Sequence, residues 1–64
     1  MIDQPMHLRV KKGMLVFVRS NKSLIPSLVI SDVYLLKEMF HMVDVVFKGK
    51  KRKIRTTWIK EIYV

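Results

Sequence analysis

A chain of 64 residues with no cysteine has to fold without the disulfides on which many very small domains rely. Chains of this size hide only about 60% of the surface that their unfolded form exposes, so independent folding has a thin margin. The other staples open to such a scaffold are a structural metal or a partner. His7 and His41 are the only imidazoles, too few for a zinc site without carboxylate help. The sequence therefore implies one domain with no metal and no cofactor, leaving the partner. Half of the residues are apolar, and a small body has more surface than interior, so several of these side chains must stay outside. Apolar groups in that position tend to be covered by another molecule, which favours an oligomer or a larger assembly.

The pattern along the chain is mostly that of strands. Residues 1–12 form an N-terminal lead-in of mixed polarity, with a short strand expected at Leu8 to Val10. Gly13 opens the clearest strand, Met14 to Arg19, rich in β-branched and aromatic types. Ser20 to Ser23 has turn composition. Pro26 cannot donate a ladder hydrogen bond, so Leu24 to Ser27 is expected at an edge or in a loop. Residues 28–43 admit two readings. Leu28 to Ile30 and Val33 to Leu36 can be strands on either side of Ser31-Asp32, which is the preferred reading. Alternatively, Ser31 caps a helix at about 32–43, giving an α+β fold. From Val43 onward, Val43, Val45 and Phe47 alternate with Asp44, Val46 and Lys48, the period of a half-buried strand. Gly49 suits a tight turn, and the return strand Lys51 to Thr56 has one apolar anchor, Ile54. A single helical turn at Thr57 to Ile59 precedes a closing strand, Lys60 to Val64.

Three stretches carry a resemblance. They are Gly13-Met14-Leu15-Val16-Phe17-Val18, Val43-Asp44-Val45-Val46-Phe47-Lys48-Gly49-Lys50 and Ile54-Arg55-Thr56-Thr57-Trp58-Ile59-Lys60-Glu61-Ile62. Their order resembles the SH3-like small barrels, the group of KOW and Tudor-type modules, and also short SH3-like proteins of tailed bacteriophages. The resemblance covers residues 13–64. It implies an all-β, five-stranded SH3-like barrel with a single 3-10 turn before the last strand. KOW modules usually carry a glycine before the valines of the second strand, where this chain has Ser27-Leu28-Val29. In the barrel reading Phe17, Phe47 and Trp58 are core residues, with Trp58 plugging one end, whereas Tyr34 and Tyr63 stay exposed.

Thirteen Lys and Arg against five Asp and Glu give a net charge of +8, a field that favours nucleic acid, an anionic surface or an acidic protein face. The charge is concentrated in Lys48, Lys50, Lys51, Arg52, Lys53, Arg55 and Lys60, with no acid between residues 45 and 60. Strand alternation sends Lys51, Lys53 and Arg55 to one face, spaced about 7 Å apart, close to the phosphate pitch of a nucleic-acid strand. These residues are the expected contacts to nucleic acid or to an acidic partner. Edge lysines also block strand-to-strand aggregation, a reading that needs no ligand. Tyr34, Met39 and Phe40 form the expected apolar docking patch, and the methionines suit either gap filling or adaptable contact.

Catalysis has little support in the sequence. His41 and Asp44 fall on opposite faces of a strand, and Ser20, Ser23, Ser27 and Ser31 lie in turn-like contexts. Gly13 and Gly49 are the only glycines, so no phosphate-cradling loop exists. The expectation is a non-enzymatic module without a small-molecule substrate. The longest uncharged run, Ser23 to Ser31, has nine residues against the ~20 a spanning helix needs. Arg9, Lys11, Lys12 and Arg19 interrupt the region where a secretory core would lie, so a cytoplasmic site is expected, host cytoplasm or virion if the chain is phage-encoded.

Overall fold

The computed structural model of the protein describes residues 4–64. A four-residue helix, α1 (Met6–Arg9), precedes strands β1 (Leu15–Ser20), β2 (Ser23–Val29), β3 (Tyr34–Leu36), β4 (Phe40–Phe47) and β5 (Lys50–Arg55). A 3-10 turn, Thr56–Trp58, then leads into β6 (Ile59–Ile62). All pairings are antiparallel, and the sheet curls into a half-barrel. The order is β3-β4-β2-β1-β6, with β5 on the other side of β4. Among the described residues β5 pairs with β4 alone and β6 with β1 alone, so the barrel stays open between these two strands.

Local chemistry accounts for most of the elements. Gly13, at φ 95°, adopts a backbone that side chains resist, and its N–H donates to Val29 O at 2.8 Å, docking the start of β1 onto β2. Phe47 stands opposite Lys50, so Lys48 and Gly49 form a two-residue turn. Their φ values, 51° and 76°, are both positive, the primed geometry that matches the twist of a hairpin. Asn21, at φ 54°, fills the left-handed position of the β1–β2 turn, which asparagine tolerates well.

Val43, Val45, Ile54, Val16, Val18 and Val29 point into the concave side, and Ile59 and Val10 complete the buried cluster. β-branched side chains pack well on a pleated surface and suit the narrow space inside a tight curl. Met6 and Met14 pack against this cluster as partly buried neighbours, and Met42 is buried on the convex side of β4. Here methionine fills gaps. None of the described helices is long and apolar enough to cross a membrane.

Several expectations need correction. Residues 8–10 are not a strand: Met6–Arg9 is helical, and Val10 closes that turn by donating to Met6 O at 3.1 Å. His7 of this helix stacks on His41 of β4, with ring centroids 3.6 Å apart and planes within 2°. The helix alternative at about 32–43 is replaced by the β3–β4 hairpin, as the strand reading expects. Lys37 and Glu38, at φ 54° and 56°, make its turn. Pro26 lies in a strand and not in a loop, and it has the edge position expected of it, because β2 meets β4 only through Leu28 and Val29 and the proline is flanked by a partner on one side only. Ser27 is not in a turn: it is a buried β2 residue whose hydroxyl donates to Ile25 O at 3.3 Å. The sheet has six strands, one more than the barrel that the resemblance implies, and Tyr34–Leu36 is the short strand expected at Val33 to Leu36.

Candidate nucleic-acid interface

The cationic residues divide between the two faces of the β4–β5 ribbon. Antiparallel neighbours share a face, and Ile54 stands opposite the buried Val43, so Ile54, Arg52 and Lys50 belong to the concave side. Lys51, Lys53 and Arg55 belong to the convex side, opposite Val46, Asp44 and Met42. All five cations of β5 are exposed, and Ile54 is its one buried residue. Lys48 is exposed in the turn, and Lys60 is exposed on β6.

The environments of these cations differ. The Arg55 guanidinium lies 4.0 Å from the centroid of the Phe40 ring, and that of Arg52 lies 5.2 Å from Phe47. Both contacts leave the N–H fork available at the ring edge, because stacking uses only the guanidinium plane. Lys53 stands directly across from Asp44. The Asp44 carboxylate accepts a hydrogen bond from the Tyr34 hydroxyl at 2.8 Å, and this bond, followed by burial, raises the Tyr34 pKa above 10.0. Of the apolar docking residues, Met39 is 71% exposed at the β3–β4 turn, while Phe40 is half-buried beneath Arg55. Tyr34 is half-buried rather than exposed, and Tyr63 is exposed.

Trp58 is the largest departure from the sequence reading. It does not plug the barrel: 48% of its surface is exposed. Phe17 and Phe47 are half-buried, and no aromatic belongs to the buried cluster. The interior is lined by valines and isoleucines, which leaves the larger rings at the rim. Trp58 ends the 3-10 turn that bridges the two unpaired edges, and it borders a cleft of about 140 Å³. Val18, Ile25, Val45 and Ile54 line the cleft, with Phe47 and Arg52 also bordering it. On its other side Trp58 shares a shallow depression with Arg19, Thr57 and Lys60.

Lys60 reaches this position through a bulge. Phe17 pairs with Glu61 but Val18 pairs with Ile59, so Lys60 is the extra residue on β6. Bulges of this kind re-aim a side chain. Arg19 and Lys60 were separate charges in the sequence, 41 positions apart, and the β1–β6 pairing brings them to one depression. No periodicity in the chain could have revealed that grouping.

His41 and Asp44 are turned to opposite sides of β4, the first against His7 and the second against Tyr34. Among the described residues no three His, Cys, Asp or Glu side chains cluster as metal ligands would. Compared with protein-family models, curated proteins and solved structures, the chain matches none of them.

Proposed function

We propose that the protein is a non-enzymatic, SH3-like interaction module that binds a negatively charged partner, nucleic acid or a nucleoprotein complex, through the 48–55 hairpin. One observation carries this reading: Lys48, Lys50, Lys51, Arg52, Lys53 and Arg55 are all exposed on one two-stranded ribbon whose outer edge has no strand partner among the described residues. A ribbon of this shape presents cations on both faces and at its tip, so it can follow a phosphate backbone while β4 holds it to the core. Each phosphate neutralised releases condensed counterions, which makes affinity fall steeply with salt. The arginines add planar forks that suit phosphate oxygens. The half-barrel course of the sheet and the 3-10 turn before β6 support the SH3-like assignment.

The test is a salt titration of binding to plain oligonucleotides, with Lys51, Lys53 and Arg55 replaced by Glu in a second protein. The wild type should bind at low salt and weaken as salt rises, and the triple variant should lose binding. Absence of binding at low salt, or an affinity indifferent to salt, overturns the proposal.

A second reading, a small assembly subunit of a phage particle or other large complex, is favoured by a separate observation. Leu15 and Leu28 are cross-strand partners on the convex face, 41% and 42% exposed, and Leu24 nearby is 51% exposed. Such a patch suits a docked neighbour. It predicts self-association that Leu15→Gln with Leu28→Gln abolishes in sedimentation velocity, whereas the triple glutamate variant leaves it intact. A wild type that stays monomeric at high concentration counts against it.

A further inference from the structure

Charge on the hairpin does not discriminate between a duplex and a single strand; the open side of the half-barrel does. We propose that this opening takes one unpaired base of a single-stranded nucleic acid, stacked on Trp58, with the adjoining phosphates held by Arg19 and Lys60. The inference rests on the reading of the protein as a nucleic-acid binder and names the form of nucleic acid it prefers.

Four features converge on it. An indole left 48% exposed beside two cations offers both a stacking face and counter-charges for the backbone of the stacked nucleotide. The adjoining cleft, about 140 Å³, is smaller than the roughly 300–1,000 Å³ of sites that enclose a drug-sized ligand, so it admits part of a larger molecule. Its lining sets Val18, Ile25 and Val45, which suit the face of a ring, beside Arg19, Arg52 and Lys53, which suit the phosphates next to it. Finally, the bulge sets Lys60 at the depression that Trp58 and Arg19 share. Bases in a duplex are already stacked on their neighbours and can reach such a site only by being extruded, which costs a few kcal/mol. An acidic peptide carries its charge on Asp and Glu, which offer Trp58 no ring, whereas each phosphodiester adjoins a planar base. The chemistry common to single-stranded DNA and RNA, a planar base on a phosphodiester, is what the site recognises.

Trp58 is the only tryptophan in the chain, so its fluorescence reports the stacking directly. Unlabelled oligo(dT), oligo(U), a duplex of equal length and inorganic polyphosphate are titrated against the full chain at low salt. Labelled forms of the two single strands and the duplex are followed by anisotropy for Trp58→Ala and Trp58→Phe, both checked for folding by circular dichroism. Both single strands should quench Trp58, and polyphosphate should bind without comparable quenching. Trp58→Ala should weaken single-strand binding by about 5- to 150-fold, the range for loss of one stacked base, and leave duplex binding unchanged. Trp58→Phe should retain part of the affinity. Equal quenching by DNA and RNA supports the shared chemistry, and quenching by only one narrows it to that strand. Salt-sensitive binding of every polyanion, with no quenching and no effect of Trp58→Ala, overturns the stacking site while leaving the cationic hairpin intact. Failure of any polyanion to bind overturns both.

Discussion

Asp44 is held at three points. Its backbone N–H donates to the Ser31 hydroxyl at 2.9 Å, its carbonyl accepts from Ile30 N–H at 2.9 Å, and its carboxylate accepts from the Tyr34 hydroxyl. These bonds tie the β2–β3 connection to the middle of β4, where the strand passes from β3 to β2 as its neighbour. Tyr34→Phe removes one of them without changing the ring, and should cost about 1 kcal/mol in urea denaturation at neutral pH, the net worth of a typical hydrogen bond. The sign of the pH dependence follows from the raised Tyr34 pKa. The contribution is fully present below the unfolded value near 10 and is lost as pH rises through the higher folded value. The stability gap between wild type and Tyr34→Phe should therefore be constant below pH ~10 and shrink above it. A gap that widens above that point contradicts the assignment.

The β4–β5 hairpin is the element on which both structure and proposed function depend. Its register is set at one end by the Lys48-Gly49 turn and along its length by Val43 opposite Ile54. Lys48 carries a left-handed backbone at φ 51°, a conformation that costs most side chains free energy and that asparagine adopts readily. Lys48→Asn should stabilise the protein by about 0.5–1 kcal/mol and raise the melting temperature by roughly 2–8 °C in a calorimetric scan. Its effect on binding should be small, because it removes one cation of the ribbon and leaves β5 unaltered. An unchanged or lower melting temperature would mean that the lysine side chain supports the turn in some other way.

Across the whole molecule, a net charge of +8 on 64 residues is spread over an open half-barrel whose interior is filled by valines. Binding through three or four phosphates predicts a slope of log affinity against log salt of about −2 to −3 for a single strand. The triple glutamate variant should lose binding, while Trp58→Ala should lower affinity with little change in slope, since stacking releases no counterions. The two measurements separate the contribution of the ribbon from that of the cleft. The exposed leucines adjoin both, since Leu28 lies in one row with Val46 and Lys51 and Leu24 shares a depression with Arg19 and Lys60, so self-association and nucleic-acid binding should compete.

Much of this organisation was legible in the chain because it is local. Alternation of Val43, Val45 and Phe47, the turn at Gly49 and the lone apolar Ile54 specify a hairpin and its cationic faces through interactions between near neighbours. Helix α1 leaves no periodic signal in its four residues, whereas Pro26, paired on one side only, has the edge position that its missing N–H implies. The fate of Trp58 was beyond reach for a different reason. Whether a large ring is enclosed depends on the volume left inside once every strand has curled, and volume is a property of the closed arrangement. Likewise the meeting of Arg19 with Lys60 follows from a bulge in the pairing of the first strand with the last. Pattern along the chain therefore specified the strands and the charge they carry. The curl of the sheet, by bringing branched aliphatics from distant strands into one buried cluster, specified which side chains the core encloses and left Trp58 at the open side.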